Sequence, residues 1–312
     1  MGLNTEASAA LVFLILYAIL FAFMLYGYAT RHLRFRSRYS VILFHVTVRL
    51  ASQATGLAFG VVGYANTSLL VAYFILGAEG YFTLVLCTYR FLISWHNHNL
   101  ASHDSWLEPR FPPGTPVFKR FLLSFALFGP NRRPMAVMHN LLIGANTIII
   151  TGGSLLAGGS NSVQDFHSNL LTAKIMRTVG QSIFLAINTF LLYCILDTIR
   201  QSRSENPTKK RTRPTLLIFL AIWPCLFVRG LYGVLSGVLP AFNYFNPDNY
   251  DATGLKNSFI VSEYIMGTTM EWVSCTMLMV TYLTSRGDPK KADLEVEEGT
   301  RDNKKTALDG EA

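Results

Sequence analysis

Apolar residues along this chain gather in long blocks, separated by shorter polar stretches rich in Arg and Lys. The blocks reach the roughly 20 residues that a helix needs to cross a bilayer. Their bounds predict seven spans, at about 8–29, 39–64, 68–95, 135–158, 173–199, 215–239 and 258–284. The expected fold class is therefore all-α, a polytopic membrane protein with a seven-transmembrane helix bundle over residues 1–285. The remainder, 286–312, mixes acidic and basic residues without an apolar pattern and predicts a disordered, charged cytoplasmic tail. One shorter apolar stretch, Val117–Phe128, is too short to span. Phe118, Phe121, Leu122 and Phe125 recur there at helical spacing beside Lys119 and Arg120, so an interfacial helix is expected over 117–128.

The polar stretches set an orientation. Arg31, Arg34, Arg36 and Arg38 follow the first span, Arg110, Lys119, Arg120, Arg132 and Arg133 the third, and Arg200, Arg203, Lys209, Lys210, Arg211 and Arg213 the fifth. The alternate loops hold little beyond Lys256. By the positive-inside rule the N-terminus is expected outside and the C-terminus in the cytoplasm. The first block has no preceding Lys or Arg and is too long for a signal-peptide core, so an uncleaved anchor is expected. Asn66-Thr67-Ser68 forms a glycosylation sequon at the outer membrane edge.

Composition agrees with this picture. Of 312 residues 51% are hydrophobic and only 15% charged, against about a quarter charged in soluble domains. The net charge of +8 could suit nucleic acid, but the basic residues lie between the apolar blocks, so no nucleic-acid partner is expected. The expected partners are the lipid bilayer and, at the basic loops, anionic lipid or a cytosolic protein. Span length favours a plasma membrane over an endomembrane. Cys87, Cys194, Cys225 and Cys275 all fall inside apolar blocks, which argues against a disulfide framework and for small buried side chains.

The candidate chemistry lies within the spans. Arg49, Glu79, Arg229 and Glu271 all fall within about one helical turn of a span's middle. Glu263 lies nearer the outer end. A lone charge at a helix centre costs roughly 2.5–3.5 kcal/mol, so these groups are expected to face the bundle interior and pair. Order along the chain suggests Arg49 with Glu79, and Arg229 with Glu271 or Glu263. His45 lies one turn from Arg49 and is placed to join them. The cluster is read either as a ligand or ion-pair site or as packing ion pairs alone. Gly56 and Gly60 follow Arg49, and Gly233 and Gly237 follow Arg229, at the spacing that lets helices approach closely. The repeated order of Arg, glycine pair and Glu suggests two three-helix halves around one linking span.

Other chemistry is not indicated. His96, His98, His103 and Asp104 carry no metal-site spacing and are expected in a solvated loop. Arg90 is expected to anchor at the cytoplasmic interface beside Trp95. No nucleotide-binding glycine loop or nucleophile elbow is present, so neither an enzyme nor a cofactor nor a metal is expected.

The span count resembles a G-protein-coupled receptor, but Thr88-Tyr89 precede Arg90 where the common class has an acidic residue, and Trp223 is adjacent to Pro224. Pro224, Val228-Arg229, Tyr232, Phe245-Asn246-Pro247 and Glu263 together resemble fungal seven-span integral membrane proteins of unknown function. That resemblance implies topology and location, not a ligand. The leading expectation is a receptor-like or sensor protein with a buried Arg/Glu cluster. The alternatives are a small-solute or proton-coupled transporter of 3+1+3 architecture and a structural membrane protein.

Overall fold

The computed structural model describes residues 4–35, 37–100, 104–109, 116, 133–157, 163–205, 213–244, 246–251 and 254–285. The expected interfacial helix at 117–128 and the tail at 286–312 lie outside the described residues. Among those described, eight α-helices carry the fold: α1 (Thr5–Ala29), α2 (Tyr39–Val62), α3 (Thr67–Asn99), α4 (Pro134–Ala157), α5 (Val163–Glu205), α6 (Arg213–Val238), α7 (Asn257–Glu263) and α8 (Met270–Thr284). The first six are long and apolar enough to cross a membrane. A π-helical segment, Tyr264–Thr269, joins α7 to α8 and keeps the chain helical from Asn257 to Thr284. The stretch expected as a seventh span is thus helical but divided.

Each helix is apolar on most of its circumference, and burial divides it into two faces. On α1 the stripe Val12, Ile15, Ile19, Phe23 and Tyr26 is exposed, whereas Ala10, Tyr17 and Met24 are fully buried. Both stripes follow helical spacing, as expected where one face meets lipid tails and the other meets protein. Consecutive helices pack together from α1 to α6, and α6 packs on α8. Helix α3 is central, touching α2, α4, α5, α6 and α8. Its tyrosines satisfy backbone carbonyls of its neighbours: the Tyr81 hydroxyl donates to Leu226 O at 3.1 Å and the Tyr89 hydroxyl to Ile187 O at 2.8 Å. In hydrocarbon such groups have no water to turn to, so these bonds fix the rotation of α3.

The two ends of the bundle differ. At one end, the described residues of 239–256 form an organised cap rather than an open loop. It holds 3-10 turns at Pro240–Phe242 and Pro247–Asn249 and a two-residue antiparallel ladder pairing Tyr250–Asp251 with Gly254–Leu255. The Asn249 amide donates to Pro240 O and Asn243 O, both at 2.8 Å, which closes the cap on itself. Leu255, Phe259, Ile260, Tyr244 and Tyr264 then pack on Ala10 of α1. We call this the hairpin end.

The opposite end corrects two expectations. His96 is fully buried rather than solvated: its Nδ1 lies 2.8 Å from Ser105 Oγ and its Nε2 2.7 Å from Thr198 Oγ1. The reason is that α3 runs on to Asn99, one turn past the expected end, and carries His96 into the contact with α5. Arg90, still about a third exposed, meets Glu108 at 2.7 Å, whereas Trp95 is buried in the protein rather than standing at its surface. His98 Nδ1 faces Ser94 O at 2.7 Å, Asp104 accepts from the Ser105 amide, and His103 lies outside the described residues. All four cysteines are free thiols, three of them buried.

The glycine pairs act as spacers. A Cβ at Gly60 would stand 2.7 Å from Ala7 N and 2.8 Å from Ala7 Cβ, because α1 and α2 touch backbone to backbone there. Gly56 faces Ala10 and the Tyr73 ring, while Gly233 and Gly237 face Gln181 and Thr178 of α5. Gly144 on α4, in contrast, has nothing within 4 Å of such a Cβ. Gly60→Ala is therefore expected to destabilise by about 1–3 kcal/mol through overpacking. Gly144→Ala is expected to be neutral or to gain up to about 1 kcal/mol from helix propensity. Thermal unfolding of the two purified variants in one detergent checks the contrast, and equal melting temperatures would contradict it.

Candidate functional site

Three charged side chains meet at the centre of the bundle. Glu271, in the first turn of α8, is fully buried. Arg229 of α6 places its Nε 2.5 Å from Glu271 Oε1, and Arg49 of α2 places its Nε 3.0 Å from Glu271 Oε2. One carboxylate thus serves two guanidinium groups, one on each oxygen. The Arg229 contact has hydrogen-bond geometry, whereas the Arg49 contact is close but misaligned. Arg49 adds a hydrogen bond from Nη2 to Thr268 Oγ1 at 3.2 Å in the π-helical segment. Each guanidinium also lies over an aromatic ring, Arg49 at 5.9 Å from the Tyr17 ring and Arg229 at 5.2 Å from the Tyr81 ring. The ring faces add a favourable cation–π contribution in this dry setting.

The expected pair of Arg49 with Glu79 does not form. Successive helical side chains are about 100° apart. Gly80 is the residue of α3 that faces the triad, and a Cβ there would come within 2.6 Å of Arg49 Cδ and 2.8 Å of Glu271 Oε2. Glu79, one residue earlier, therefore points away. Its carboxylate accepts from Asn146 Nδ2 of α4 at 2.5 Å. The consequence is that the two halves of the chain do not carry matching ion pairs: Arg49 and Arg229 converge on one acidic residue.

Glu263, the last residue of α7, does not pair with Arg229 but accepts a hydrogen bond from the Tyr73 hydroxyl at 3.0 Å, with Tyr244 a second hydroxyl partner. His45 is fully buried one turn before Arg49, yet bonds to none of the cluster's side chains. Its Nδ1 lies 2.9 Å from Thr83 Oγ1. Because the Thr83 hydroxyl points its proton at the Glu79 and Gly80 carbonyls, His45 Nδ1 is the donor in that contact. The bare Nε2 is left buried without a hydrogen-bond partner.

These groups border a cavity of about 20 Å³ on the hairpin side of the triad, room for one or two water molecules or an ion of similar size. Arg49, Arg229, Glu263 and Glu271 line it, and so does Arg177 of α5 together with Tyr73, Tyr232 and Tyr244. Arg177 escaped the reading of the sequence because it lies near an expected span end, where a long side chain usually reaches water. Here it folds inward, donating from Nε to Ser236 Oγ at 3.3 Å and lying 4.5 Å over the Tyr244 ring. The available signal was helical spacing, since Arg177, Gln181 and Asn188 share one face of α5 and the latter two are fully buried.

A roomier groove of about 130 Å³ lies between α5 and α6 at the opposite end. Its lining is mostly apolar, with Ile199, Leu216 and Leu217 beside Ser202 and Arg203, and it brings no set of convergent polar groups together. Among the described residues no cluster of His, Cys, Asp and Glu could hold a metal ion. No family model, no curated protein and no solved structure matches the chain.

The shared carboxylate changes what substitution should do. Glu271→Gln leaves two buried guanidinium groups without an anion and is expected to cost about 3–5 kcal/mol, the range for breaking a buried pair. Exchanging the charges, Arg229→Glu with Glu271→Arg, is expected to fail as a rescue, because the arginine introduced on α8 would then face Arg49. Removing all three charges, Arg49→Met with Arg229→Met and Glu271→Leu, is expected to recover most of the folded protein. The amount of monodisperse tagged protein after detergent extraction reads all three. A full rescue by the two-residue exchange would mean that Arg49 is not part of the triad.

Proposed function

We propose that the chain is a seven-helix integral membrane protein of receptor-like or sensor type, which binds a small polar ligand from the hairpin end and catalyses no reaction. The seventh crossing in this reading is the divided helix from Asn257 to Thr284. The positive-inside pattern puts the hairpin end and the N-terminus outside and the basic loops in the cytoplasm, where they would meet anionic lipid or a cytosolic partner. Placement among fungal seven-span proteins of the plasma membrane belongs to the same proposal.

The observation that carries this reading is a one-sided polar cavity. Towards the hairpin end it is bordered by Arg177, Tyr244 and Glu263. Below the triad the interior is packed by Leu84, Val85, Leu226, Cys275 and Leu278, all fully buried. A ligand entering from one face would reach the triad and stop. The π-helical segment supports the reading, since such segments recur at functional sites and this one contributes Gly267 and Thr268 to the cavity lining. A two-half transporter finds less support, because its main argument was a matching ion pair in each half.

Accessibility separates the readings. Ala78→Cys and Thr268→Cys, each in a Cys225→Ser background, are exposed in nitrate medium to Ag+, a thiol-reactive ion small enough for the cavity, on intact cells and on inside-out vesicles. The sensor reading expects modification from the cell exterior alone. Modification from both faces would instead establish an alternating pathway, and from neither a purely structural cluster.

A further inference from the structure

The charges around the cavity do not balance. Three guanidinium groups, those of Arg49, Arg177 and Arg229, line it against two carboxylates, Glu263 and Glu271. Glu271 is occupied on both oxygens by Arg49 and Arg229. Among the described residues, Arg177 has no carboxylate at ion-pair distance. Of the other acidic groups nearby, Glu79 turns away from the cavity to Asn146 of α4, and Glu6 remains. It is buried on α1 outside the cavity lining, and neither of its oxygens has a hydrogen-bond partner, so nothing there holds a negative charge. A residual positive charge in a low-dielectric interior is costly unless an anion neutralises it.

A second observation points the same way. The Tyr232 side chain is 2% exposed and lines the cavity, and its hydroxyl, although near Tyr244, meets no partner with hydrogen-bond geometry. This hydroxyl therefore has a proton to offer to an acceptor within the cavity. The size of the space limits that acceptor to something little larger than water. Resting on the reading of the cavity as a ligand site, we propose that it binds one small monovalent anion, of halide or formate size, held between the Arg177 guanidinium, the Tyr232 hydroxyl and the open side of the Arg49–Glu271–Arg229 triad. The anion would complete the charge balance and supply the acceptor that Tyr232 lacks. Larger carboxylates and phosphates would not fit without displacing Tyr232 or Tyr244. The bound ion would link α5 to α6, the two helices that carry Arg177 and Tyr232.

The test uses the purified full-length chain in detergent, exchanged into gluconate as the sole anion. Chloride, bromide and formate are then titrated at constant ionic strength while the melting temperature is read by tryptophan fluorescence. The expected result is a saturable rise of about 2–4 °C with each small anion. Arg177→Gln should abolish the rise. Tyr232→Phe, which deletes one oxygen, should raise the half-saturating concentration by about 2–10-fold. Arg90→Gln, at the far end of the bundle, should leave the titration unchanged. If Arg177→Gln does not fold, Tyr232→Phe decides. The proposal is overturned if no small anion exceeds gluconate, or if Tyr232→Phe leaves the half-saturating concentration unchanged. Cysteine modification from the exterior without an anion response would retain the ligand site and remove only the anion. Loss of both would remove the ligand site itself.

Discussion

The fold turns on a single carboxylate. Glu271 holds α2 and α6, whose arginines lie more than half the chain apart in sequence, to one point on α8. In water such contacts would be worth little, since solvent competes for every charge. Inside a bundle the competition is absent, and the alternative to the triad is bare guanidinium in a dry core. The arrangement therefore matters less for the energy it adds than for the structures it forbids: any rotation of α2, α6 or α8 that parts the groups strands a charge. Gly80 makes the meeting possible, because α3 passes so close that even a methyl group would collide with both partners.

That constraint gives the molecule its two unlike halves. Beyond the triad towards the basic end, the interior is an aromatic and aliphatic core with Tyr89, Phe91 and Trp95 at its centre. Among its polar side chains His96 is held on both ring nitrogens, between Ser105 and Thr198. Towards the hairpin end, arginine, glutamate and tyrosine surround a small space under a folded cap. The polar cavity thus lies in one half, and continuous aromatic and aliphatic packing fills the other.

The apolar blocks announced the helices well, because a chain in lipid has few ways other than helix to satisfy its backbone. The expected span at 39–64 is α2, Tyr39–Val62, and the expected span at 135–158 is α4, Pro134–Ala157. Arg49, Arg229 and Glu271 were legible as a buried cluster from their depth alone. Which of them meet was not, because partnership depends on rotation about the helix axis, and the step from Glu79 to Gly80 suffices to exchange a neighbour. Arg177 was obscured by its position near a span end, since whether such a side chain turns inward depends on what Tyr244 and Ser236 offer it. The cap at 239–256 was missed because its order rests on Asn side chains bonding to backbone carbonyls, which leaves no periodic trace.

The π-helical segment carries a consequence for how this chain tolerates changes in length. A π turn accommodates one residue more than the α-helix would at the same place. Loss of a single residue between Tyr264 and Thr269 would let the segment relax into regular α-helix and leave everything after it facing as before. Glu271 would keep its place on the axis of the bundle. Elsewhere along a helix the same deletion would turn every later residue by about 100°. Here the reading frame of the three-dimensional structure, unlike that of a message, can lose one letter and still be read.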